Sequence, residues 1–177
     1  MSFRNFTKLI VLSTVLLFNA TANANENGNT IVYIGAGSNT GDKPTTGTST
    51  PFTIGFLNLS SGERIWGLDI AGEGVVIDST WGMNKALTQS SSLNLIFGKP
   101  LTTSMNSRLD GGLLVGMRRK TSDCPRSSLG YQCYADSSPN TTYDLNYGGL
   151  ITWTSNSLML GVRLTGASSQ LLVGYRF

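Results

Sequence analysis

The stretch that decides the fold closes the chain: Ser157-Leu158-Met159-Leu160-Gly161-Val162-Arg163-Leu164-Thr165, then Gly166-Ala167-Ser168, then Ser169-Gln170-Leu171-Leu172-Val173-Gly174-Tyr175-Arg176-Phe177. Leu158, Leu160, Val162 and Leu164 alternate with Gly161, Arg163 and Thr165. Leu171, Val173, Tyr175 and Phe177 alternate with Gln170, Gly174 and Arg176. A period of two places each set on its own face of a β-strand. The small residues between the two runs make a short turn. One face is therefore large and apolar, and the other is small, polar or charged.

Working back from this hairpin, six further runs complete a set of eight: Thr30–Ser38, Pro51–Asn58, Glu63–Val75, Ala86–Lys99, Arg108–Lys120 and Thr142–Thr154 precede the two already quoted. Phe52, Ile54 and Phe56 oppose Thr53 and Gly55. Trp66, Leu68 and Ile70 oppose Gly67, Asp69 and Ala71. Leu93, Leu95 and Phe97 oppose Asn94 and Gly98. Leu109, Leu113, Val115 and Met117 oppose Asp110, Gly112, Gly116 and Arg118. Tyr143, Leu145, Tyr147, Ile151 and Trp153 oppose Asp144, Asn146, Gly148 and Thr152. In the first run Ile31, Val32, Tyr33 and Ile34 are all apolar, so its phase is open. Composition agrees with strands and turns: 21 glycines and only 13% charged residues.

A soluble sandwich could carry the same period with the apolar face inward. Three features favour the opposite arrangement, a closed barrel with the apolar face outward. Glycine and small polar residues on the second face suit a narrow lumen. Charges sit in mid-strand on that face. The predicted lumen network comprises Asp69, Glu73, Arg108, Asp110, Arg118, Asp144, Arg163 and Arg176, paired with one another because buried charges need partners. The connections also alternate in length. Asn58–Glu63, with Ser61-Gly62, and Thr154–Ser157, with Ser155-Asn156, are tight, and Lys99–Arg108 is somewhat longer. Asn39–Thr50, Val76–Lys85 and Thr121–Thr141 are long and polar, and Gly166-Ala167-Ser168 is short. Short turns at one end and longer loops at the other is the arrangement of barrels in bacterial outer membranes.

The N-terminus fits export. Arg4 and Lys8 precede an apolar run, Leu9–Phe18, too short to span a bilayer, and Ala22-Asn23-Ala24 forms an A-x-A cleavage site. Residues 1–24 are thus expected to be a cleaved signal peptide, and residues 25–177 the barrel. Thirteen basic residues face ten acidic ones over the whole chain. Two of the basic ones fall in the signal, so the mature part is close to neutral and nothing points to nucleic acid. Cys124 and Cys133 are the only cysteines, and an even pair in an exported chain is expected to form a disulfide. There is no histidine, so a Ser–His catalytic arrangement is excluded, and no metal site or cofactor is expected. Asp69 and Glu73, on one face of the third run, could in principle act as acid and base; a structural ion-pair network is the competing reading. With the mature N-terminus on the periplasmic side, Phe56, Trp66, Phe97 and Trp153 fall at the periplasmic ends of their strands as an aromatic girdle, together with Tyr175 and Phe177. Phe52 and Tyr143 fall at the opposite end.

Taken together, the signal at Met1–Ala24, the eight amphipathic runs and the ending Leu171-Leu172-Val173-Gly174-Tyr175-Arg176-Phe177 make the chain resemble the small outer-membrane barrels of the OmpX, OmpA N-terminal and opacity-protein type. The resemblance implies an all-β, antiparallel, up-and-down transmembrane barrel of about eight strands. It also implies that Leu171, Val173, Tyr175 and Phe177 form the signal read by the barrel-assembly machinery. The family often has glycine where Leu172 stands. Outer-membrane lipid and lipopolysaccharide are the implied surroundings, Arg118, Arg119 and Lys120 offering phosphate contacts or a solvated rim. The function expected is non-enzymatic: a surface protein whose outer loops serve envelope integrity, adhesion or contact with a host ligand. A small solute or ion pore is the alternative. A lipid-modifying barrel enzyme, or a soluble lipocalin-like carrier with the faces reversed, fits less well.

Overall fold

The computed structural model describes residues 29–40, 50–60, 64–77, 87–121 and 141–177. The signal segment and its cleavage site, the Ser61-Gly62 turn, most of the three long connections and both cysteines lie outside these residues. The described chain forms eight strands: β1 Thr30–Asn39, β2 Phe52–Leu59, β3 Ile65–Ile77, β4 Leu87–Thr103, β5 Ser107–Thr121, β6 Thr141–Ser155, β7 Leu158–Thr165 and β8 Ser168–Arg176. Each pairs antiparallel with its sequence neighbour, and β1 pairs with β8 through Ile31↔Arg176 to Asn39↔Ser168, closing the sheet. Closure leaves no unpaired edge, which is the condition for strands to cross a hydrocarbon layer. The all-β barrel expected from the sequence is the fold observed.

The faces sort by parity. Ile34, Ile54, Trp66, Ile70, Leu93, Leu95, Phe97, Leu113, Val115, Met117, Leu145, Ile151, Val162, Leu164, Leu171 and Val173 are all exposed on the outer wall. A continuous apolar belt around a closed barrel is far larger than the patches tolerated on a soluble monomer, and it matches a lipid-facing surface. It also removes the carrier reading, which needs a polar exterior.

The interior corrects one expectation. It is not lined by glycine and small polar residues throughout. Ile31, Tyr33, Leu57, Leu59, Ile65, Ile96, Leu114, Leu150, Met159 and Leu172 are buried together inside the barrel. The phase of β1, open in the sequence, is settled: Ile31 and Tyr33 point inward and Ile34 outward. This apolar plug sits toward the end that carries the short turns. Beyond it, toward the end that carries the long connections, the lumen is polar. Along β3 the inward order is Ile65, Gly67, Asp69, Ala71, Glu73; along β4 it is Ile96, Asn94, Ser92, Ser90.

Two irregularities shape the strands. Between Gly72 and Val75 the β3–β4 register shifts by one residue, and Gly74 there has φ 70°. This is a bulge with glycine in the left-handed region, a conformation other residues adopt only with strain. It lets both Glu73 and Val76 face inward. Between Pro100 and Thr102 the β4–β5 register shifts again. The expected Lys99–Arg108 connection is therefore mostly strand: β4 runs on through Pro100, which sits at the bulge where its missing N–H is tolerated. The turn itself is short, Ser104 N–H donating to Ser107 O at 2.8 Å. The β6–β7 turn places Asn156 at φ 52°, a left-handed position that suits asparagine.

Candidate functional site

The polar half of the lumen is the most highly organised cluster in the described residues. Arg163, on the inward face of β7, is wholly buried at 0% exposure, as are Asp69 and Glu73 across the barrel on β3. Its Nε donates to Asp69 Oδ2 at 2.8 Å and its Nη1 to Glu73 Oε2 at 2.8 Å; Nη2 reaches Glu73 Oε1 at 3.0 Å and Asp69 Oδ1 at 3.3 Å. One planar guanidinium thus bridges two carboxylates in a doubly bidentate fork, a geometry that suits arginine and not lysine.

The cluster holds two carboxylates against one cation, and neutral donors compensate the difference. Asn94 Nδ2 donates to Asp69 Oδ1 at 2.6 Å, and Tyr33 Oη donates to Asp69 Oδ2 at 3.3 Å. Glu73 accepts from Ser92 Oγ at 2.7 Å, Asn146 Nδ2 at 2.8 Å, Thr165 Oγ1 at 2.7 Å and Ser168 Oγ at 2.6 Å. Gln170 Nε2 donates in turn to Ser168 Oγ at 2.9 Å. These donors come from β1, β4, β6, β7 and β8, so the network ties most of the barrel wall together. Buried charge is tolerable only when each lone pair is met in this way.

The eight charged residues grouped from the sequence do not form one network. Asp69, Glu73 and Arg163 come together as described. Arg118 lies beside the bulge, its Nη1 close to Gly74. Arg108 and Asp110 form a separate pair at the short-turn end of β5, Nε to Oδ1 at 2.6 Å. Arg176 is on the inward side of β8 at that same end. Asp144 is the correction: it is not part of the lumen network but pairs with Lys120 at 2.9 Å, both side chains being about half exposed at the outer rim. The reason is strand length. β5 and β6 have 15 residues each and β7 and β8 have 8 and 9, so the wall around Asp144 rises above the closed lumen.

Trp66, Phe97 and Trp153 are exposed on the outer wall near the short-turn end. Trp66 pairs in register with Phe97, and its ring meets Phe56 edge to face at 5.7 Å. In the C-terminal segment Leu171, Val173 and Tyr175 are exposed outward, and Tyr175 packs on Phe177 at 5.4 Å. Sequence reasoning missed Tyr33, Asn94, Asn146 and Ser168 as partners of the ion cluster. The one available hint was polar residues at inward parity on β4 and β6. Tyr33 carried none, because its run is apolar on both faces.

No known family profile matches the sequence, and no curated protein matches it. Among solved structures, the chain is similar to the backbone structure of the Yersinia pestis outer membrane protein Ail in a phospholipid bilayer nanodisc. The identity is 16% and the TM-score 0.42, over 85% of this chain and 100% of that one. That likeness concerns the course of the backbone.

Proposed function

We propose that this chain is a non-conducting, non-enzymatic outer-membrane barrel that anchors surface loops, serving envelope integrity or contact with a partner outside the cell. The observation that carries this reading is the filled interior. An apolar plug occupies one half of the lumen and a hydrogen-bonded ionic network the other, so solute has no path between them. Asp69 and Glu73 are poor candidates for acid–base chemistry, because every strong interaction they make is already committed to Arg163 and its neighbours. What remains for contact outside the cell is the set of long connections 41–49, 78–86 and 122–140, which join strands at the same end of the barrel. On this reading the signal at residues 1–24 directs export, Leu171, Val173, Tyr175 and Phe177 address the barrel-assembly machinery, and lipopolysaccharide surrounds the outer rim.

Two measurements test it. In planar bilayers the purified protein should give no steady conductance. Replacing the three long connections with short turns should leave a folded barrel in the outer membrane while abolishing adhesion or serum survival conferred on the cell. Reproducible channels, or unchanged cell phenotypes after loop replacement, would overturn the proposal.

A further inference from the structure

The outer wall is interrupted between β5 and β6. On β5 and β6 the outward positions carry Leu109, Leu113, Val115, Tyr147, Ile151 and Trp153, but Gly111 and Gly149 stand among them. They open an apolar groove of about 510 Å³ across β4 to β7. That volume lies within the roughly 300–1,000 Å³ typical of ligand sites. Four neighbouring strands make the groove roughly 14 Å wide at the usual strand spacing.

The fold does not require these glycines. Neither has positive φ; among the described glycines only Gly74 does. A Cβ on Gly149 would meet nothing closer than Gly112 O at 3.4 Å, and one on Gly111 would meet only the flexible Leu101 side chain, at 3.1 Å. Gly72 is the contrast. It also faces outward, but the Phe52 ring covers it, 2.5 Å from where a Cβ would lie. At Gly149 the chain leaves the space open, and at Gly111 only the flexible end of Leu101 lies over it.

One side of the groove is charged. Lys99 lines it, between Phe97 and Leu101 on the outward face of β4, toward the short-turn end. No carboxylate among the described residues pairs with Lys99. A cation on the lipid-facing wall just past an aromatic girdle sits at headgroup level. From this juxtaposition we infer that the groove binds one phospholipid of the periplasmic leaflet, an acyl chain lying over Gly149 and Gly111 and the phosphate on Lys99. The inference rests on the membrane-spanning reading above, and goes beyond it by assigning a site and a ligand class. Charge complementarity selects a phospholipid over a second copy of the barrel, whose own apolar belt would leave Lys99 unmatched.

The test uses the full mature chain in nanodiscs of mixed phosphatidylglycerol and phosphatidylcholine, released into mild detergent and weighed by native mass spectrometry. The wild type should retain one lipid, enriched in phosphatidylglycerol. Gly149→Leu, which fills the groove on an open face, should lower the lipid-bound fraction at least tenfold. Lys99→Gln should keep a lipid but lose the preference for phosphatidylglycerol. Ile54→Leu, on β2 in the opposite wall, should change nothing. Absence of retained lipid in the wild type, retention unaffected by Gly149→Leu, or a wild-type dimer that Gly149→Leu dissociates would overturn the inference. Incorporation into nanodiscs and a heat-dependent shift in gel mobility report the membrane reading separately. A chain that inserts without retaining lipid defeats the groove alone, whereas one that fails to insert defeats both.

Discussion

At the scale of single residues, the barrel depends on matching one guanidinium to two buried carboxylates. Asp69 and Glu73 come from one strand and Arg163 from β7 across the lumen, so the fork forms only when the barrel has closed. Removing the cation leaves two like charges facing each other without water. Arg163→Met is therefore expected to destabilise the folded barrel by about 3–5 kcal/mol, the range for breaking a buried ion pair from one side. A urea titration read by the folded gel band measures it. Adding Asp69→Asn and Glu73→Gln to Arg163→Met removes the stranded charge, and should recover most of the loss. If the triple variant is as unstable as the single one, the charge balance is not what holds this layer. Arg163→Lys is expected to behave more like Arg163→Met than like the wild type, because an ammonium cannot present the planar double fork.

At the scale of elements, the bulge in β3 places Glu73 against this cluster. Gly74, at φ 70°, takes the extra residue, and Arg118 lies against it. Gly74→Ala should cost roughly 1–2 kcal/mol from the left-handed backbone alone, whereas Gly149→Ala, on an open stretch of the outer wall, should be close to neutral. Equal effects at the two sites in the same urea titration would contradict the bulge account. Strands were legible in the sequence wherever one face was apolar and the other was not, as in Leu158–Thr165. Lipid demands an apolar side chain at alternate positions, and that demand writes the outer face directly. The plug was illegible for the converse reason. At Leu113-Leu114, Leu95-Ile96-Phe97 and Leu171-Leu172 both faces are apolar, so period two carries no information about which residue points inward. The same holds for Ile31-Val32-Tyr33-Ile34, which concealed Tyr33 as a donor to Asp69. The extension of β4 through Pro100 was hidden because proline ordinarily ends a strand, and only the bulge makes it tolerable. Asp144 had the right parity for the lumen but the wrong height, and height depends on register between strands, which one strand's pattern does not contain.

At the scale of the whole molecule, the wall is uneven. β4, β5 and β6 have 17, 15 and 15 residues, and β7 and β8 only 8 and 9. A tilted crossing strand needs about 9–11 residues, so the long side projects past the hydrocarbon, with Ser90 donating to Arg119 O and Lys120 paired to Asp144 holding its rim together. Closure should make the folded protein run at a different gel mobility before and after boiling, and deletion of Phe177 should impair its assembly; identical mobility in both states would contradict a closed barrel in the membrane. The longest connection, 122–140, joins β5 to β6 and carries both cysteines. We propose that Cys124 and Cys133 are joined, as expected for an even pair in an exported chain. A ring of about ten residues would remove on the order of 2–3 kcal/mol of loop entropy in the chain model. The barrel has no need of that stabilisation, since its strands are held by closure, so the bond would act on the loop alone. Pro125, Arg126, Tyr131 and Tyr134 are close to the cysteines in sequence, and a tethered loop with such side chains loses less freedom on meeting a partner. Cys124→Ser with Cys133→Ser should therefore leave heat-dependent mobility intact while making the loop sensitive to added protease on whole cells. Treatment of the wild type with a reductant should reproduce that sensitivity. Failure of the double variant to assemble would place the bond in the barrel's own stability, and a loop equally resistant in both forms would mean the two cysteines are not joined.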